Sequence, residues 1–283
     1  MNQLTKSMGQ GLVFGMDSTA SNRKPCVFCG DTSSKLTREH VFGNWMATAF
    51  KDYIDDYGAI EIRTGRREPI RYQTGPFTDT VRIACKSCNE GWMNDCELGV
   101  QQLLTPMMTG GFPRLLTAGD QEALASWAVK TALVLDHQTP ENPIVPVAEY
   151  PELFATKRPL SSHIVWIGHT DPRSSHLVIN STKGRFPRIN AENDPALRER
   201  LQASIDDGRW LYLFTFSIGF VVLQILGHNM HNPLTISTGE IHPRLMTPFW
   251  PVRGDVSWPP PESSDTLGGP RALHELIVGV PAP

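Results

Sequence analysis

The sequence predicts an α+β chain, in which a small cysteine-bearing module precedes a helix packed with an antiparallel sheet. Three observations lead there. Two Cys-x-x-Cys pairs lie within the first 115 residues. A helical apolar period with a start signal follows Thr117. From His163 onward, β-branched and aromatic runs replace that period.

Composition bounds the class. The 283 residues carry 40% hydrophobic and 19% charged side chains, with 23 prolines. That suits a loop-rich globular chain and excludes a coiled coil or a long disordered one. The formal net charge is −3, which excludes a uniformly basic nucleic-acid coat. The first 115 residues carry 13 Lys and Arg against 12 Asp and Glu; the rest carries 13 against 17. The negative balance therefore belongs to the C-terminal part. Five cysteines is an odd, small number and argues against a secreted disulfide scaffold. Met1 to Met16 has no apolar run of signal-peptide length. Leu211 to Leu226 is shorter than a spanning helix and contains Thr215, Ser217 and Gln224. No membrane partner and a cytoplasmic location are the expectations.

The elements follow in order. Residues 1–24 are polar and Gly-rich and are expected as a tail. His40 to Tyr57 places Val41, Phe42, Trp45, Met46, Ala49, Phe50 and Ile54 at helical spacing. Ala59–Arg63 and Ile70–Gln73 predict a hairpin around Thr64 to Arg67, and Thr80–Ala84 a third strand. Asn89–Leu104 predicts a helix with Trp92, Met93, Cys96, Val100 and Leu103 on one side. Thr117 with Asp120 forms a capping-box pattern. The helix it opens carries Leu124, Trp127, Ala128, Thr131, Ala132 and Leu135 on one face. Strands are then expected at His163–Gly168, His176–Ile179, Trp210–Phe216, Phe220–Leu226 and Thr235–Ser237. Three units result: the tail, a module over 25–115 and an α+β accessory domain over 116–283.

The cysteines carry the chemistry. Cys26-Val-Phe-Cys29 and Cys85-Lys-Ser-Cys88 are two knuckles that together supply four thiolates. That set matches a tetrahedral structural zinc site. Cys96 is left over, as a core thiol on the second helix. Glu39-His40 sits ten residues after Cys29, and the second knuckle runs directly into Asn89-Glu90-Gly91-Trp92-Met93.

At these residues the chain resembles the HNH (His-Asn-His) endonucleases, treble-clef ββα-metal nucleases. The matching pieces are Cys26-x-x-Cys29, Leu36-Thr-Arg-Glu39-His40-Val-Phe with Trp45, and Val81-Arg-Ile-Ala-Cys85-x-x-Cys88-Asn89-x-Gly91-Trp92-Met93 with Glu97. They span roughly residues 25 to 100. The resemblance implies a metal-dependent endonuclease that hydrolyses phosphodiester bonds in double-stranded DNA. His40 would be the general base, because an imidazole with a pKa near 6.5 can take a proton from water at neutral pH. Glu39 and Asn89 would hold a catalytic Mg²⁺ or Mn²⁺. Two positions depart from the family. Its middle Asn falls here on Asp79 or Thr80, and the Pro that often follows the catalytic His by three residues is Gly43.

Arg63, Arg66, Arg67 and Arg71 cluster on the expected hairpin, as a DNA-backbone arm or a solvated turn. His228-x-x-His231 lacks an acidic or Cys partner at ligand spacing, and no phosphate-cradling glycine loop or nucleophile elbow is present. The C-terminal part carries no readable chemistry and suits a protein partner or a homo-oligomer. The competing function class is a zinc-binding module that recognises nucleic acid or protein without cutting it.

Overall fold

The structure is a computed structural model. It describes residues 23–52, 60–61, 70–71, 77–138, 140, 143–172, 179–185, 199, 203, 206–229 and 242–278. Most of the expected tail and the strand expected at Thr235–Ser237 lie outside these.

The N-terminal module is laced by two short strands. β1 (Glu39–His40) pairs antiparallel with a later strand (Thr80–Val81), setting Glu39 opposite Val81 and His40 opposite Thr80. The lacing runs on into both knuckles. Val27 N–H donates to Ile83 O (3.0 Å), Thr37 N–H to Ala84 O (2.9 Å), and Leu36 bridges to Cys85. The helix expected from His40 therefore begins later, as α1 (Trp45–Ala49). Sheet bonding wins at its start: Val41 N–H donates to Asp79 O (3.0 Å). The hairpin is present as β2 (Ile60–Glu61) against β3 (Ile70–Arg71), which makes the Thr80–Val81 strand β4. Its turn, with Arg63, Arg66 and Arg67, lies outside the described residues.

The second knuckle opens α2 (Lys86–Cys88), which leads through a π-helical turn (Asn89–Met93) into α3 (Asn94–Gly110). Gly91 breaks the turn at φ −96°, ψ −117°. That break lets Trp92 and Met93 turn into the core. α3 buries Val100, Leu103, Leu104, Met107 and Met108, so it runs beyond the expected Leu104. Gly111, at φ +64°, ends it in the left-handed region that glycine enters most easily. Cys96 is partly buried against this core, and burial pushes its thiol pKa up.

β5 (Arg114–Leu116) leads to α4 (Ala118–Asp136). The capping box is present: Thr117 N–H donates to Asp120 Oδ2 (2.9 Å) and Asp120 N–H to Thr117 Oγ1 (3.3 Å). Such a cap contributes about 1 kcal/mol. α4 is not one-sided as expected. It is buried nearly throughout from Gln121 to Asp136, because α3 packs on one side of it and the sheet on another.

After α5 (Glu149–Thr156) come β6 (His163–His169), β7 (Ile179–Arg185), β8 (Leu211–Ile218) and β9 (Val221–His228). α6 (His242–Leu245), β10 (Met246–Trp250), β11 (Val256–Trp258) and α7 (Pro270–Val278) complete the chain. The antiparallel sheet has the order β10-β6-β9-β8-β7, and β11 pairs with β5. Of the strand expected at His176–Ile179, only Ile179 lies within the described residues, and it belongs to β7. Gly219, at φ +54°, makes the β8–β9 turn, where Phe220 N–H donates to Met108 O (3.0 Å) at the end of α3. The sheet is covered on both faces. One core joins it to the module and α4; a second, with Trp166, Leu213, Leu226 and Leu273, lies under α7. Double coverage explains the unbroken apolar runs of β8 and β9.

The expected boundary at 115/116 does not divide the core. One apolar cluster takes in Cys26, Phe28, Val100, Trp127, Phe216 and Trp258. Among the described residues, no helix is long and apolar enough to cross a membrane.

Candidate metal centre and the Glu39-His40 strand

The sulfurs of Cys26, Cys29, Cys85 and Cys88 all lie within 4.8 Å of one another. Cys29 Sγ and Cys85 Sγ are 3.6 Å apart. A tetrahedral ion with bonds of about 2.3 Å sets its sulfurs about 3.8 Å apart, so the cluster fits a metal ion such as zinc. Burial opposes ionisation at Cys85, but the Ser87 hydroxyl at 3.1 Å and neighbouring thiols pull its pKa down to about 7. Burial raises Cys29 and Cys88.

Asn89 begins where the second knuckle ends. Its Nδ2 donates to Thr37 Oγ1 (3.0 Å) and to Arg38 O (3.0 Å). It therefore ties the knuckle to the backbone directly before Glu39-His40. His40 is half-buried and forms no hydrogen bond or ion pair among the described residues. Thr80, its cross-strand partner, shares its face of the strand pair. Of the two candidates for the family's middle position, Thr80 is the one beside His40. Asp79 instead accepts from Gln138 Nε2 (3.1 Å).

Glu39 has another environment. It is 6% exposed, and its Oε1 lies 3.7 Å from Nζ of Lys130, a side chain with no exposure at all. The ammonium also pairs with Glu97, whose other oxygen accepts from Trp45 Nε1 (2.7 Å). Burial pushes the Glu39 pKa up to about 7; Lys130 opposes the rise and Glu97 adds to it. Burial alone would lower Lys130, but the two carboxylates outweigh it and hold its pKa above the ordinary value. One ammonium neutralises one of two carboxylates, and the more distant Glu39 gains less from it.

The expectation of Glu39 as ligand to a catalytic Mg²⁺ or Mn²⁺ does not fit this placement, because its carboxylate is turned to Lys130 in the interior. Among the described residues, the four cysteines are the only such group of three or more Cys, His, Asp or Glu able to hold an ion. Gly43 also finds its reason here. A Cβ at this position would collide with Glu97 Oε2 and the Trp45 indole, which leaves no room for the family's proline.

Lys130 is the residue that sequence reasoning missed. The available signal was a single charge in α4 between Glu122 and Asp136. Nearby, Lys24 and Arg82 line a cavity of about 580 Å³ along β4, with Thr80 and His137. Arg71 lies on β3. Comparison of the chain with protein-family models, curated proteins and solved structures finds no match in any of them.

Proposed function

We propose that the chain is an HNH-type endonuclease that hydrolyses phosphodiester bonds in double-stranded DNA, with His40 as general base and a structural zinc on the four cysteines. One observation carries this reading. A strand pair laced at one end to a four-cysteine cluster carries a half-buried histidine, beside Thr80, that has no hydrogen-bond or ion-pair partner among the described residues. A general base must reach water, and His40 is only half-buried. Asn89, bonded to the chain just before that strand, supports the placement as a positioning residue. Lys24 and Arg82 supply local positive charge along β4 for phosphate contacts. The divalent ion implied by the resemblance would need ligands other than Glu39, whose carboxylate faces Lys130.

The test is nicking of supercoiled plasmid with Mg²⁺ or Mn²⁺, with and without chelator. His40→Ala should abolish nicking while zinc content and melting stay unchanged. Nicking retained by that variant refutes the assignment. The burial of Glu39 against Lys130 favours a second reading, a zinc module that recognises nucleic acid or protein without cutting. Plasmid retarded on a gel but never nicked by the wild-type chain would select it.

A further inference from the structure

A second cavity, of about 650 Å³, lies far along the chain from the cysteines, between the start of α5 and the end of β9. Its lining includes Glu149, Glu152, Ser162, Trp210 and His228. Its size is that of a small-molecule site.

A buried acidic side chain stands in its wall. Glu149 is 4% exposed. Its Oε2 faces His163 Nε2 (3.1 Å) and accepts from the Tyr212 hydroxyl (3.3 Å). His163 Nδ1 accepts the Leu160 N–H (3.1 Å), so the ring's one proton is assigned to Nε2. Histidine and tyrosine thus offer Glu149 dipoles, and among the described residues no lysine or arginine pairs with it. The second oxygen, Oε1, has no hydrogen-bond partner among them either. A buried carboxylate without a cation is costly unless something supplies the positive charge.

Two polar atoms point to an occupant. His228 is 7% exposed, and its Nδ1 is buried with no hydrogen-bond partner. Ser162 Oγ is buried and likewise without a partner. Burial holds the His228 pKa down, which leaves a neutral ring able to offer an acceptor nitrogen. Trp210 adds an aromatic surface, stacked on Tyr212 at 5.5 Å. Indole faces attract cations. Arg158 also lines the cavity, but its side chain is 64% exposed and engaged by Glu122 (2.7 Å). Glu149, Glu152 and His228 do not form a ligand group for a metal ion. The chemistry therefore selects an organic cation.

We propose that this cavity binds a small organic ammonium compound, with the ammonium on Glu149 and His228 and the apolar part against Trp210. This site is independent of the cysteine module. The test is a pair of probes of similar shape and opposite charge, 2-phenylethylammonium and 3-phenylpropionate, titrated into the full chain. The readout is the amide shifts of Ser162 and Asn229 in ¹H–¹⁵N spectra. The ammonium should give saturable shifts, and Glu149→Gln should weaken them by about tenfold or more. The carboxylate should give none. If Glu149→Gln does not fold, His228→Leu serves as the variant and should weaken the ammonium about threefold or more. Equal response to both probes overturns the proposal. So does unchanged binding in the folded variant, or no saturation by about 20 mM ammonium.

Discussion

Lys130→Met is the substitution that most directly tests how the module is held. The ammonium is fully buried and stands between Glu97 and Glu39. Methionine keeps most of the stem volume and removes the charge. Two carboxylates, one 6% exposed and the other largely covered, then share the interior with no cation. Breaking a buried pair by removing one partner costs about 3–5 kcal/mol. A chain of 283 residues melts with an entropy of roughly 0.6 kcal/mol/K, so each kcal/mol lowers Tm by about 1.7 °C. The expected fall is about 5–8 °C. Calorimetry and urea unfolding measure it, with zinc content followed in parallel. Adding Glu97→Gln and Glu39→Gln to Lys130→Met should restore much of the loss, since the stranded charges are then gone. A fall of less than about 1 kcal/mol in the single variant, or no recovery in the triple, refutes the reasoning.

Three other predictions follow from the same geometry. Cys85→Ser should lose the bound metal and lower Tm, because three sulfurs no longer close the tetrahedron; unchanged metal by mass spectrometry and unchanged melting would refute the site. Glu39 titrates at about 7 in the fold against an ordinary 4.5. The folded chain therefore holds a proton that the unfolded chain loses first. The stability this contributes is complete below about pH 4.5 and disappears as pH rises through about 7. Urea unfolding from pH 4.5 to 8 should show wild type losing up to about 3 kcal/mol that Glu39→Gln keeps; parallel curves would refute it. Gly219→Val forces a β-branched residue to φ +54° and drives its Cβ into Met108 O. It should cost at least about 2 kcal/mol by urea unfolding, and a neutral result would show that the β8–β9 turn is not pinned to α3.

What was legible in the sequence was local. Cys26-x-x-Cys29 and Cys85-x-x-Cys88 state their pairing by spacing alone, and the four sulfurs do meet. Thr117 and Asp120 lie one turn apart, so both capping bonds were readable. The apolar runs of β8 and β9 gave two strands whose starts lie one residue and whose ends lie two residues from those expected. What was not legible depended on partners far along the chain. The apolar period after His40 is real, but a bond from Val41 to Asp79 decides its start. Glu39 beside His40 looked like a metal ligand because nothing near it in sequence discloses Lys130, 91 positions on. The one-sided pattern of α4 understated its burial, since Lys130 and Asp136 are polar residues kept inside by ion pairs with Glu97 and Lys183.

Those ion pairs also change what the C-terminal part is for. Lys130 comes from α4, beyond the boundary expected at residue 115, while Glu39 and Glu97 lie before it. Strand β1 carries Glu39 and His40 side by side. Fixing the Glu39 carboxylate on Lys130 therefore fixes the rotation of the strand, because successive side chains on a strand point to opposite faces. With Glu39 held inward, His40 must face the other way. A cation from α4 thus sets which side of β1 the histidine occupies, and the cysteine cluster holds one end of the strand pair. Neither half of the chain positions His40 alone. The acidic C-terminal part is consequently a structural component of the Glu39-His40 site, whatever else its own cavity holds.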